Sequence, residues 1–348
     1  MNRPQELSPL EKILKTRFVP SVGDLLRRLE LPASAGSEEA ANAFPFLFPE
    51  SLLNRVSKGN PDDPILKQFL PSASELEIKP GFVEDPLDER TGGDDRVLQK
   101  YQGRVLVFAT SACAARCRFC FRRCRKARAL FPASVGLPIR EYLDDALRTL
   151  RANPSVREVV FSGGDPLALS NDLLKTLLHY IKSLGTVKRA RFHSRVPVLS
   201  PKRVDEDFPA SDDFNRRDDP NPLALYLVVH VDSPNEIDSS VVKAFAELRR
   251  RGYALISQTT LLRGVNDSTE ILAELFEKLA DARVVPYYLH QLDRAKGTAR
   301  FEVPVERGLK MMKELAELLP GYAVPKYVRE IPGRLSKVNL LAEPDADF

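Results

Sequence analysis

Four cysteines, Cys113, Cys117, Cys120 and Cys124, fall within twelve residues, and the 348-residue chain has no others. The first three stand in the run Cys113-Ala-Ala-Arg-Cys117-Arg-Phe-Cys120, which puts three thiolates on one tight loop able to wrap a single inorganic object. Three close thiolates suit a [4Fe-4S] cluster that keeps one iron unligated. Structural zinc competes, but its modules present two ligand pairs separated by roughly a dozen residues to close a tetrahedron, and that separation is missing. A dithiol redox pair leaves the other cysteines unexplained. The same stretch is cationic: Arg116, Arg118, Arg122, Arg123, Arg125, Lys126 and Arg128 place seven positive charges and no carboxylate in thirteen residues. The whole chain carries only +4, so its remainder is mildly acidic. One site is basic, and the protein is not a nucleic-acid binder by composition.

A second chemical feature is Ser162-Gly163-Gly164-Asp165, where two glycines permit close backbone approach to a ligand and Asp165 stands near a helix start. Both features need a scaffold, and the pattern from Arg104 onward supplies one. Short β-branched runs (Arg104–Ala109, Glu158–Ser162, Lys188–His193, Ala224–Val231, Ala254–Thr259 and Arg283–Leu289) alternate with helical periodicity. The helices are expected at Ile139–Arg151, Asp172–Leu184, Glu236–Arg251, Ser268–Ala280 and Pro304–Leu318, with a polar stretch at Ser211–Asn221. Such alternation implies parallel strands with right-handed crossovers, hence an α/β sheet. Six units would make either a doubly wound sheet or an incomplete barrel. In both, chemistry belongs at the C-terminal ends of the strands, where both features fall. The first hundred residues read as a helical leader, with amphipathic pieces at Leu10–Arg17 and Val22–Leu31. With 43% apolar and 29% charged residues, the composition is that of an ordinary globular protein. The longest largely apolar run, Leu223–Val231, is far short of the ~18 residues of a membrane span, and Met1–Lys15 lacks a signal-peptide stretch. The expected location is the cytoplasm, with no membrane partner.

The Cys-x3-Cys-x2-Cys loop after the first strand, with an aromatic residue before the third cysteine, resembles the signature of radical S-adenosylmethionine enzymes. The likeness extends to Lys100-Tyr-Gln-Gly-Arg104-Val-Leu, Cys120-Phe-Arg122-Arg, Phe161-Ser-Gly-Gly-Asp165-Pro-Leu, His193-Ser-Arg195-Val-Pro, Leu262-Arg-Gly-Val-Asn-Asp267, Pro286-Tyr-Tyr-Leu and Gly321-Tyr-Ala-Val-Pro325. These resemble lysine 2,3-aminomutases over about Lys58 to Lys337. Lys58-Gly-Asn-Pro-Asp-Asp-Pro64, with Lys326, Arg329 and Glu330, is similar to the EpmB branch, which makes β-lysine for elongation factor P.

The resemblance implies a partial (β/α)6 barrel at 96–303, a mainly helical leader at 1–95 and a C-terminal helix and lysine segment at 304–348. It implies three cofactors: a [4Fe-4S] cluster on Cys113, Cys117 and Cys120, S-adenosylmethionine, and pyridoxal 5'-phosphate. Ser162, Gly163, Gly164 and Asp165, with His230 and Gln258, would hold S-adenosylmethionine. Lys337 would be the catalytic lysine that takes up pyridoxal phosphate, and Arg104, Arg195 and Tyr101 would hold its phosphate, a task suited to planar guanidinium groups. Arg122 would take the substrate carboxylate, and Asp293 and Glu330 the distant ammonium of lysine. Glu330 and Cys124 depart from what the catabolic and elongation-factor branches respectively carry, and Val-Asn follows Lys337 in place of Thr-Pro. The implied activity is L-lysine to β-lysine isomerisation, started when the reduced cluster cleaves S-adenosylmethionine. It would draw on an electron donor and be linked to elongation factor P and its lysine ligase; a homo-oligomer is left open. Two other readings stand beside it: a radical aminomutase acting on another amino acid, such as glutamate, and a zinc-binding RNA interaction protein.

Overall fold

The computed structural model describes residues 6–89, 97–124 and 147–346. Among these, nine strands form one sheet whose spatial order is its chain order: β1 (Val97–Tyr101), β2 (Arg104–Thr110), β3 (Glu158–Gly163), β4 (Arg189–Ser194), β5 (Ala224–His230), β6 (Tyr253–Thr260), β7 (Val285–His290), β8 (Lys326–Arg329) and β9 (Val338–Asn339). Strands β2 to β8 run parallel, and β1 and β9 close the two edges antiparallel. A doubly wound sheet reverses its strand order at a switch point. None occurs here, so the architecture is the partial barrel.

The six expected strands are β2 to β7, within one or two residues at each end. Three more join them. β1 and β2 form a hairpin through Gln102-Gly103, with Gly103 at φ 69° supplying the left-handed turn residue. β8 and β9 are four and two residues long, too short to show a period of two. Helices Asn171–Ser183, Ser239–Arg250, Thr269–Asp281 and Val305–Leu318 match expectation; Ser170, Asp238 and Ser268 accept backbone N–H bonds as N-caps of the first three, and Pro304 precedes the fourth without a side-chain cap. The crossover from β4 to β5 instead uses a single turn, Val196–Leu199, and 3-10 turns around the polar stretch. Residues 147–151 are helical; the rest of the helix expected at Ile139–Arg151, and Arg125, Lys126 and Arg128, lie outside the described residues.

Strand alternation divides core from lumen. On β4, Ala190 and Phe192 are buried in the apolar core beneath the helices, whereas Arg191 and His193 face the other way and are only half-buried. β5 and β6 repeat the pattern, with His230, Gln258 and Thr260 on the half-buried face. The concave face of the sheet is therefore polar near its C-terminal rim, as a ligand-holding interior requires. The leader packs its helices Pro9–Leu14, Val22–Arg28 and Pro64–Phe69 onto the same core through Leu14, Leu25, Leu66 and Phe69. Among the described residues no helix is long and apolar enough to cross a membrane.

Candidate functional site

The cysteine loop leaves β2 at Thr110 and is fixed at its start by β3. Gly163 has φ 116°, and a Cβ there would stand 2.6 Å from the Thr110 carbonyl; one on Gly164 would overlap the Ala112 carbonyl. Side-chain-free backbone thus lets Asp165 N–H reach the Ala112 carbonyl at 2.7 Å. Asp165 spends both carboxylate oxygens inside the protein, accepting from Ser194 Oγ at 2.7 Å and from the N–H groups of Leu167, Arg195 and Val196 at 3.0, 2.7 and 3.2 Å. Its side chain ties β3 to β4.

Two arginines of the cationic loop serve the leader. Arg118 is wholly buried and grips the Glu75 carboxylate with Nε at 3.0 Å and Nη2 at 2.7 Å, while Nη1 reaches the Phe44 carbonyl at 2.7 Å. Arg123 Nη2 reaches the same carboxylate at 2.6 Å, and Arg300 Nη2 stands 3.4 Å from it. Glu75 therefore organises three guanidinium groups and clamps the leader to the loop. A small apolar cluster, Phe119, Leu262, Val265, Leu292 and Phe301, packs beside Cys117 and keeps water from that side.

All four cysteines are free. Burial pushes the Cys113 thiol up to about 12, against the pull of Arg116, and the Cys117 thiol up to about 11, against the pull of Arg195. Thiols so placed need a cation to ionise, and a cluster iron is such a cation. Arg195 Nη1 donates to Cys117 Sγ at 3.0 Å, and its Nη2 donates to Gln68 Oε1 and, at 2.8 Å, to Glu236 Oε2. These bonds turn Arg195 toward the cysteine loop. Its guanidinium is wedged between the Phe69 and Phe119 rings, 4.9 and 5.6 Å away, and its Nε is buried with no hydrogen-bond partner among the described residues. The donor set of three thiols with a fixed guanidinium fits an iron–sulfur cluster. Cys124 lies apart, its Sγ 3.8 Å from the Lys296 carbonyl.

His230 and Gln258 are register partners on β5 and β6. The imidazole is fixed by Asp232, whose Oδ2 lies 2.9 Å from Nε2, and by the Phe119 ring at 5.8 Å. Asp232 is wholly buried; burial opposes its charge, but His230 and Arg195 hold its carboxyl below the usual range.

Across the lumen a second group of side chains converges. Glu330, just beyond β8, accepts from Tyr101 Oη at 2.6 Å, is ion-paired with Lys337 Nζ, and lies 3.9 Å from Lys100 Nζ. Although burial favours its neutral form, Lys337 and Tyr101 keep its carboxyl below the usual value. Asp293 is pushed up to about 7 by burial, with Glu330 and Glu89 adding to the rise and Lys337 opposing it. Arg104 lies 5.2 Å from the Tyr101 ring and pairs with Glu158 at 3.3 Å, as Arg191 does at 2.9 Å. His193, two residues beyond Arg191, has a buried Nε2 with no hydrogen-bond partner among the described residues. Burial, and then Arg191, Lys337 and Arg122, hold its imidazole well below the ordinary value, so it is neutral. An orphaned ring nitrogen beside two guanidinium groups and a lysine fits a phosphorylated aromatic ligand.

Arg122 lies between the two groups. Its Nε and Nη2 donate to Glu89 at 2.8 and 2.9 Å, and its Nη1 donates to Ser162 Oγ at 2.9 Å. Glu89, in the leader, is a partner that sequence reading did not anticipate, because nothing in its spacing connects it with position 122. The structure thus brings together Lys337, Glu330, Tyr101, Asp293 and Arg122 in one neighbourhood, and the three cysteines, Arg195, His230 and Gln258 in an adjoining one.

Comparison with known proteins agrees with this division. A family model described as a 4Fe-4S single cluster domain matches residues 102–193, the span from the β1–β2 turn to His193. L-lysine 2,3-aminomutase of Escherichia coli (strain K12) is 40% identical over 320 residues, covering 91% of this chain and 90% of the relative. The enzyme of the same name from Haemophilus influenzae is 34% identical, with 92% and 91% coverage. That of Clostridium subterminale is 34% identical over 83% of this chain and 67% of its own length. Likeness at that level runs the whole length of the barrel and includes its cysteine loop, and the chain therefore belongs to the L-lysine 2,3-aminomutases, isomerases of the radical S-adenosylmethionine class that carry a [4Fe-4S] cluster.

Proposed function

We propose that the protein uses pyridoxal phosphate at Lys337 to convert L-lysine to β-lysine, destined for elongation factor P. The observation that carries the reading is the ion pair of Lys337 with Glu330, set beside Tyr101, Lys100 and Asp293. Once bound, the cluster with S-adenosylmethionine supplies a radical and pyridoxal phosphate a carbonyl carbon to carry the migrating nitrogen.

The chain's own residues supply the rest. Lys337 must lose a proton from Nζ before it attacks a carbonyl, and the Glu330 carboxylate is in place to accept it and pass it on to solvent, which returns Glu330 to its ionised form. After that the lysine is no longer a cation, and Glu330, with Asp293, is freed to pair with the ε-ammonium of the substrate. One positive charge leaves as another arrives, so the buried carboxylates stay compensated. Arg104 and Tyr101 take the phosphate, and Arg122 takes the α-carboxylate. Gly163 and Gly164 would offer backbone to S-adenosylmethionine, His230 and Gln258 would add side-chain contacts, and the three cysteines would hold the cluster. The apolar cluster around Phe119 excludes water from the cysteine side. In this reading the leader, 1–95, clamps the cysteine loop, 96–303 forms the barrel, and 304–348 delivers Lys337. The elongation-factor destination is supported by Glu330 and the Lys58–Pro64 segment.

Borohydride reduction of the protein loaded with pyridoxal phosphate, followed by peptide mapping, tests the assignment. The label is expected on Lys337. A label on Lys100 or any other lysine would overturn it.

A further inference from the structure

The Arg122 guanidinium has five N–H groups. Glu89 takes one on Nε and one on Nη2, at 2.8 and 2.9 Å, in a two-point grip, and Ser162 Oγ takes one on Nη1 at 2.9 Å. Nη1 also donates to the Gly163 carbonyl at 3.4 Å, so one N–H, on Nη2, remains outside these four bonds. The guanidinium is further confined by the Phe108 and Phe121 rings, 5.0 and 4.6 Å from its central carbon. Its orientation is therefore set before any ligand arrives.

Glu89 is built into the protein rather than lodged there. Its own N–H bonds Asp85 Oδ1 at 3.2 Å, closing a turn in which Asp88 adopts φ 49°, a left-handed conformation that Asp tolerates better than most residues. Lys100 Nζ on β1 donates to the Leu87 carbonyl at 3.0 Å, and the Leu87 side chain is buried. The Glu89 carboxylate itself is only 6% exposed. A turn anchored at both ends and pointing one carboxylate at one guanidinium serves geometry.

We infer that Glu89 is the positioning residue for substrate recognition: its two-point grip turns the remaining Nη2 N–H of Arg122 toward the α-carboxylate of lysine. This rests on the reading of Arg122 as the carboxylate contact. The grip also lowers the net charge that Arg122 offers, so recognition depends on alignment of that hydrogen bond more than on bulk attraction. Lysine should then be distinguished from 1,5-diaminopentane, which has the same amines and no carboxylate, by a margin that needs both residues.

The test is calorimetric binding of L-lysine and of 1,5-diaminopentane to protein carrying its cluster and pyridoxal phosphate, with S-adenosylmethionine omitted so that no turnover occurs. Glu89→Ala should weaken lysine binding about tenfold, the scale of one misaligned charge-assisted hydrogen bond, while diaminopentane binding should not weaken, since removing Glu89 only eases ionisation of Asp293. Glu89→Gln, which keeps the shape and one acceptor, should fall between Glu89→Ala and the parent and serves if the alanine variant folds poorly. Arg122→Met should abolish the preference for lysine. If Arg122→Met keeps the preference, the reading of Arg122 fails. If Arg122→Met loses it while both Glu89 variants keep it, Glu89 positions nothing. Tighter lysine binding by Glu89→Ala would make Glu89 a competitor for the carboxylate site and would equally overturn the inference.

Discussion

Replacing Glu75 with alanine should unlock the cysteine loop. The Glu75 carboxylate is fully buried and is the shared counter-ion of Arg118 at 2.7 Å, Arg123 at 2.6 Å and Arg300 at 3.4 Å. Removing it leaves buried guanidinium groups facing one another without compensation. Breaking a buried ion pair from one side costs about 3–5 kcal/mol, a large share of the ~5–15 kcal/mol by which domains are stable. At roughly 2.1 cal/mol/K per residue of unfolding entropy, 348 residues give about 0.7 kcal/mol/K, so the melting temperature should fall by about 4–7 °C. The loss is local as well as global, because Arg118 and Arg123 flank Cys120. Iron retained after anaerobic reconstitution should therefore fall by more than half, and Glu75→Gln, which keeps acceptors but no charge, should sit between. The assay is a scanning melt paired with iron analysis of the same sample. A Glu75→Ala protein that melts within about 1 °C of the parent and holds its full iron would refute the claim that this carboxylate clamps the loop.

Further outcomes follow from the same geometry. Asp293, raised to about 7, must be ionised to hold an ammonium, so lysine binding should strengthen about tenfold between pH 6 and pH 8 as that carboxyl loses its proton. Titration calorimetry across this range measures it, and Asp293→Asn should flatten the dependence. Gly164→Ala drives a Cβ into the Ala112 carbonyl and should cost about 1–3 kcal/mol through forced backbone movement, seen as a lower melt and as lost iron. Arg195→Lys keeps one charge but cannot span Cys117, Gln68 and Glu236 together. It should alter the visible absorption of the cluster and leave the affinity for pyridoxal phosphate within about twofold, measured by absorbance titration; a large loss of that affinity would assign Arg195 to the phosphate.

The legible part of the fold was what long periodic segments encode. β2 to β7 and the helices Asn171–Ser183, Ser239–Arg250 and Thr269–Asp281 follow from apolar periodicity, and the cysteine spacing announced an iron–sulfur site without any structure. β8 was hidden because four residues carry no period, and β1 because its residues are all partly exposed. Side-chain destinations were the least legible. Arg195 stands two residues beyond His193 on the rim of β4, and sequence alone does not say that its guanidinium turns toward Cys117. The run of arginines read as one basic site, yet Arg118 is fully buried against Glu75, and Arg122 belongs to Glu89. Those partners lie 43 and 33 residues away in a leader with no fixed spacing to the loop, so only tertiary packing pairs them.

The most direct test of the account is chemical. Protein reconstituted anaerobically with iron and sulfide, then given S-adenosylmethionine, pyridoxal phosphate, a reductant and L-lysine, should be brown, hold about four irons per chain and yield β-lysine identified by chromatography and mass spectrometry. A fully iron-loaded protein that leaves lysine unchanged under these conditions would contradict it.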